Sequence, residues 1–242
     1  MKTLNVVLHA HSEWSYDADW PLERVARVMG RMGADVVMMT EHDTDFPADR
    51  FQEYRAACAA ASTERCALIP GIEYSSPDNA IHVLTWGLER FLGAGRPTLD
   101  TLRDAANSGA AAVFAHPARR DVWKAWNPDW VPLLSGLEVW NRKTDGVAPG
   151  VEALRLARKT GLTATTGMDF HRANQLWPLA NRIEIDETLP LEAALVEALR
   201  AGRVAPRAFG ADLLSAPGVP ASSWHARLEA ARRGIKRLIG RR

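Results

Sequence analysis

Short apolar or β-branched runs alternate with amphipathic stretches along most of the chain. Residues 4–10, 35–40, 66–73, 81–86, 111–115, 136–140, 162–168 and 182–185 read as buried strands. Between them, residues 21–32, 50–62, 98–108, 150–160 and 191–201 carry helical spacing. This alternation predicts parallel strands joined by crossover helices. About seven or eight such units, none reading as an exposed polar edge, predict a closed barrel in place of an open sheet.

Residues 1–214 are expected to form this main domain. The Pro/Ala/Ser-rich stretch 215–223 reads as a linker. Beyond it, Trp224, Leu228, Ala231, Ile235 and Leu238 recur at helical spacing among Arg227, Arg232, Arg233, Lys236, Arg237, Arg241 and Arg242. That pattern predicts a basic amphipathic helix over 224–242, docked on the barrel or touching nucleic acid or an anionic lipid surface.

Composition narrows the class. With 47% hydrophobic and 24% charged residues in 242 positions, the chain can bury one substantial core. A net charge of +1 argues against a globally polyanion-binding surface. The apolar stretch 4–8 is too short for a signal-peptide core, and no transmembrane segment is visible, so a cytoplasmic protein is expected. Cys58 and Cys66 form no CxxC pattern and are expected to be reduced, buried thiols.

Six of the seven histidines fall in or just after a predicted strand. His9 and His11, in HAH, lie two apart on one strand, so their side chains share a face and can grip one metal. Asp17 follows in HSEWSYD on a loop able to fold over the same strand end. His42 sits between Glu41 and Asp43 where an apolar strand stops, an unusual place for charge without a metal. Glu73 ends ALIPGIE, and read alone it is better taken as a solvent-facing terminus; His82, between Ile81 and Val83, is, read alone, better taken as a hydrogen-bonded core histidine. His116 in VFAHPAR ends an apolar strand, and Asp169 and His171 in GMDFH repeat the same-side geometry with one carboxylate. On barrel strand ends these side chains would converge on one face and suit hard or borderline divalent ions.

In order and rough spacing, HAHSEWSYD, TEHD, GIE, the isolated His82, AHPAR and GMDFH resemble the polymerase and histidinol phosphatase (PHP) family over roughly residues 1–210. The resemblance implies a distorted (β/α)7 barrel holding two or three divalent ions, zinc, manganese or iron. It implies His9, His11, Glu73 and Asp169 at the first ion, Glu73 with His82 and His116 at the second, and Asp17, His42 and His171 at the third. The activity implied is hydrolysis of phosphoesters through a metal-activated hydroxide, acting on small phosphorylated metabolites or nucleotides.

Arg119, three residues past His116, is positioned for a two-point grip on a phosphoryl group, or is a surface arginine. Asp43 is expected to orient a ligand or shuttle a proton to the leaving alcohol. Trp123, Trp126 and Trp130 pack a loop onto the barrel, or form an aromatic lid with Arg119, Arg120 and Lys124. Two other functions compete: hydrolysis of a carbamate, carboxylic ester or amide, and a non-catalytic metal-binding module.

Overall fold

The protein was analysed as a computed structural model, which describes residues 1–239, with side-chain surroundings described through residue 235. β1 (Lys2–Ala10) leads through α1 (Leu22–Arg31) to β2 (Val36–Met39) and, past Thr40, to β3 (Glu41–His42). α2 (Phe51–Ala61) returns the chain to β4 (Ala67–Ile69) and, past Pro70, to β5 (Gly71–Ser75). There follow β6 (His82–Trp86), α3 (Thr98–Asn107), β7 (Ala111–Phe114), β8 (Gly136–Asn141), α4 (Arg142–Asp145), α5 (Val151–Thr160) and β9 (Ala164–Phe170). β10 (Leu179–Ile185), α6 (Leu191–Arg200), β11 (Val204–Ala208) and β12 (Ala211–Asp212) come next. The last elements are β13 (Leu214–Ala216), β14 (Val219–Pro220) and α7 (Trp224–Ile239).

The result is a mixed α/β fold around one twelve-stranded sheet. Parallel ladders join β4, β2, β1, β9, β8 and β7 in that order, and another joins β3 to β5. The all-parallel expectation fails at β6, which runs antiparallel to both β5 and β7. The reason is length: residues 76–81 are too few for a crossover helix, so β5 turns straight back. β10 and β11 extend the sheet antiparallel from β1.

Of the expected closed (β/α)7 barrel, the mixed α/β sheet is present but no continuous closed ladder is, because two neighbouring strands are each broken in two. Two strands jog where the ring would have to close. Pro70, between β4 and β5, has no N–H to give a ladder, and Thr40, between β2 and β3, gives its N–H to Ala10 O at 2.8 Å.

Alternation along the strands separates two buried apolar faces. Val7, Val37 and Met39 face Met29 of α1 and Tyr54 of α2, while Leu4, Val6, Leu8, Val36 and Met38 face the other way. Leu195 and Leu199 of α6 join this second face with Ile69, Val113 and Trp86, whose indole donates to Met39 O at 2.8 Å. Apolar packing thereby fills the starts of the parallel strands and leaves their ends to polar side chains.

The stretch expected as a linker, 215–223, contains most of the β13–β14 hairpin. The amphipathic helix forms, yet it docks through its polar residues: His225 and Glu229 are buried, whereas Trp224, Leu228 and Ile235 stay 39%, 48% and 58% exposed. Arg241 and Arg242, expected on this helix, lie outside the described residues, as do the side chains of Lys236, Arg237 and Leu238. Among the described residues no helix is long and apolar enough to cross a membrane. Cys58 and Cys66 are buried free thiols, and burial pushes both up.

Candidate metal centre

Glu73, fully buried in the middle of β5, is the hub of the site. One carboxylate oxygen lies 2.5 Å from His82 Nδ1 and 2.9 Å from His116 Nε2. The other lies 3.3 Å from His9 Nε2, 3.3 Å from His11 Nε2 and 3.2 Å from His42 Nδ1. Asp169 Oδ1 stands 3.5 Å from His9, 3.7 Å from His11 and 3.4 Å from His171 Nδ1. Asp17 closes the outer side, with its two oxygens 3.3 Å from His42 and 3.2 Å from His171. All nine side chains singled out as metal ligands therefore meet in one place.

Burial opposes charge throughout this cluster, yet the mutual pairing prevails at most of its members. The carboxyl groups of Glu73, Asp169 and Asp17 are held below their ordinary range by the surrounding imidazoles, with Lys143 adding to the pull on Asp169. Glu73 and Asp17 draw His42 up to about 10, and Glu138, Asp169 and Glu73 raise His9. His11 goes the other way, lowered by burial and by His171 and His42. Buried anionic carboxylates among imidazoles form a donor set that calls for cations.

Three groupings have ligand atoms close enough to share an ion: His9–His11–Asp169, His9–Glu73–His116 and His11–His42–His171. The orphaned buried atoms agree, since His11 Nε2 and Asp17 Oδ1 lack hydrogen-bond partners. The residues present thus fit divalent ions.

The backbone bends to bring them together. His9, His116 and Asp169 adopt φ of 64°, 28° and 49°, in the left-handed region that non-glycine residues rarely occupy. At His9 and Asp169 this coincides with a break in register between β1 and β9.

Sequence reasoning missed the supports. Glu138 on β8 is fully buried: one oxygen is 2.7 Å from His9 Nδ1, and the other accepts from His116 N at 2.8 Å and Asn141 Nδ2 at 3.0 Å. It orients the ring of His9 so that Nε2 faces Glu73 and Asp169. The room for it comes from Gly167, where a Cβ would fall 1.7 Å from Glu138 Oε1. Glu41 is likewise buried, accepting from Ser12 N and from the hydroxyls of Ser12 and Ser15; Ser15 Oγ in turn meets His11 Nδ1 at 3.2 Å. A lone acid inside an apolar strand was the available signal for Glu138, the same one that marked Glu73.

The pocket above the cluster is a cavity of about 230 Å³. Arg119 lines it, with Nη1 donating to Asn79 O and Ala80 O at 3.0 and 3.3 Å and lying 3.2 Å from His82 Nε2. Lys143 and Thr144 of α4 and the exposed Tyr16 also line it. Asp43 does not: its Oδ2 accepts from Ser75 N and Gly95 N, tying the end of β5 to the segment before α3. No tryptophan lines the pocket either. Trp126 and Trp130 pack on Phe114 with ring centroids 5.4 and 5.8 Å away, which is the packing reading and not the lid.

No family model matches the sequence, and no curated protein sequence matches it. Solved structures do match in fold. A two-domain protein from Bacteroides vulgatus, described as containing a predicted PHP-like metal-dependent phosphoesterase, superposes with TM-score 0.63 at 23% identity. The match covers 88% of this chain but 66% of that one, just under two thirds of its length. PsfC from Pseudomonas syringae matches with TM-score 0.64 at 17% identity, covering 99% of this chain and 100% of its own. Endonuclease Q, in complex with a duplex carrying an abasic lesion, matches with TM-score 0.58 at 14% identity, covering 83% and 57%.

Proposed function

From the premise that this chain has the PHP-like fold, we propose that it is a metal-dependent phosphoesterase acting on small phosphorylated metabolites or nucleotides. The observation that supports this reading best is Glu73, one buried carboxylate lying against the imidazoles of His9, His11, His42, His82 and His116. A carboxylate so surrounded suits a bridging role between two ions.

His9, His11, Glu73 and Asp169 would hold one ion, Glu73 with His82 and His116 a second, and Asp17, His42 and His171 a third. Bound divalent ions supply a nucleophile at neutral pH and positive charge against phosphoryl oxygens.

The chain's own groups do the rest. Glu138 holds His9 in one orientation, and Ser15 does the same for His11. Arg119, anchored by two backbone carbonyls through Nη1, keeps Nη2 and Nε for a phosphoryl oxygen, and Lys143 brings a second cation to the same pocket. The cavity's size suits a phosphoryl group with the remainder of a substrate outside it. Arg119 and Lys143 in its wall, together with bound divalent ions, would favour an anion over a neutral ester or amide.

The test is metal analysis together with turnover of phosphomonoesters, phosphodiesters and carboxylic esters. Purified protein should carry two or three divalent ions, hydrolyse phosphoesters and lose that activity to a chelator. Glu73→Gln should lose metal and activity together. Arg119→Ala should lower efficiency roughly ten- to a hundredfold at unchanged metal content, with Arg119→Lys rescuing incompletely. Chelator-insensitive turnover, a preference for carboxylic esters, or wild-type kinetics in Glu73→Gln would each overturn the reading.

A further inference from the structure

Lys143 reaches the pocket from a single turn of helix, and the C-terminal helix is seated against that turn. α4 hangs from the end of β8: Asn141 Oδ1 accepts from Thr144 N at 3.0 Å, and Asp145 Oδ2 accepts from Asn141 N at 2.8 Å. Gly146 follows with φ 82° and ψ −122°, and its carbonyl accepts from Trp140 Nε1 at 3.3 Å. The next amide, Val147 N, donates to Glu229 of α7 at 3.3 Å. A Cβ on Gly146 would lie 2.8 Å from Arg232 Nη2 and 3.0 Å from Glu229 Oε2, so no gap separates turn and helix.

The buried face of α7 is unusual for an amphipathic helix. Its anchor is a carboxylate, Glu229, 6% exposed and paired with Arg232 and Arg233 at 2.7–2.8 Å, while Trp224, Leu228 and Ile235 face solvent. One turn earlier, His225 sets its ring edge-on to Trp140 at 4.8 Å. Burying a charged group carries a desolvation cost that its bonds must offset, so this seat is specific in geometry in a way apolar packing is not.

Lys143 needs such support. Its Nζ lies 3.1 Å from His171 Nε2 and 3.6 Å from Asp169 Oδ1, beside groups that would ligate cations, and its side chain is 41% exposed. An ammonium next to bound divalent ions is repelled toward water unless an anion lies between them, and the position of its backbone sets whether it can reach that anion.

We propose that α7 is a positioning element of the anion pocket: Glu229 fixes the Gly146–Val147 turn and, through α4, places Lys143 against the bound phosphoryl group. The identity of that anion rests on the phosphoesterase reading; the contacts do not.

The test uses the full-length, metal-loaded protein, inorganic phosphate titrated by calorimetry, and hydrogen exchange over residues 142–147. Glu229→Ala and Lys143→Ala should each weaken phosphate binding about five- to tenfold at unchanged metal content. Glu229→Ala should also speed exchange in 142–147 without speeding it in β1 or β9. Glu229→Gln, whose amide oxygen can still accept from Val147 N, should restore both readouts. In a Lys143→Ala background, Glu229→Ala should add nothing. Additive losses, unchanged phosphate affinity in either single variant, wild-type protein that binds no phosphate, or accelerated exchange throughout the sheet would overturn the proposal. Phosphate binding and exchange behaving as expected in a protein without phosphoesterase turnover would support it while counting against the assigned reaction.

Discussion

His9, His116 and Asp169 sit on backbone that costs roughly 1–3 kcal/mol per residue to hold. Neighbours impose it, as where Glu138 accepts the His116 N–H at the strained step after β7. The histidines and Asp169 were legible in the sequence because charge at the end of an apolar run is conspicuous. Lys143 was not, since a lysine in a loop looks like any solvated surface charge. Asp145, close by, has its own consequence: burial and the nearby Glu138 push its carboxyl up to about 7. Folding therefore raises its proton affinity above that of the unfolded chain. The associated stabilisation is complete below the ordinary carboxylate range and is lost as pH rises through about 7. Asp145→Asn keeps an acceptor for Asn141 N and removes the titration. Metal-free Asp145→Asn protein should unfold at a higher temperature than wild type at pH 8, with the difference shrinking toward pH 5. Parallel melting curves across that range would refute this.

At the scale of elements, β5 carries the hub of the site in a space with no slack. A Cβ on Gly71 would fall 2.3 Å from Trp86 Cδ1 and 2.5 Å from both Met39 O and Thr85 O, two of them backbone atoms that cannot turn aside. Gly71→Ala should force β5 away from β6, costing about 3 kcal/mol, or roughly 6–12 °C in melting temperature for a chain of this size. Because Glu73 lies two residues on, metal content should fall as well. Calorimetry and elemental analysis check this, and wild-type values for both would show that the strand accommodates the methyl group. The helices were readable from their spacing, and α1, α3 and α6 lie inside the expected spans. The reversal of β6 was not, because an apolar run has the same periodicity in either direction.

Across the whole molecule, the cluster draws on β1, β3, β5, β6 and β9 and on the residues after β1, β7 and β9, so bound ions would cross-link distant parts of the chain. Ions that bind only the folded state stabilise it by mass action, by about 4 kcal/mol at a thousandfold excess over the dissociation constant. Chelation should then lower the melting temperature by roughly 8–16 °C, and stepwise return of metal should restore it. A melting temperature indifferent to chelator and metal would show that folding and ion binding are uncoupled.

Local pattern alone determined where most of the longer strands and helices lie and which side chains are of metal-ligating type, because periodicity and residue type are properties of neighbouring positions. Tertiary structure decided the rest. Whether the sheet closes depends on ladders interrupted at Thr40 and Pro70. Which way α7 faces depends on whether Glu229 finds Val147. That Glu138 belongs to the site depends on Gly167 lying opposite it. Each is a contact between residues far apart in the chain, where one hydrogen bond or one missing methyl group selects among arrangements that local sequence leaves equally open.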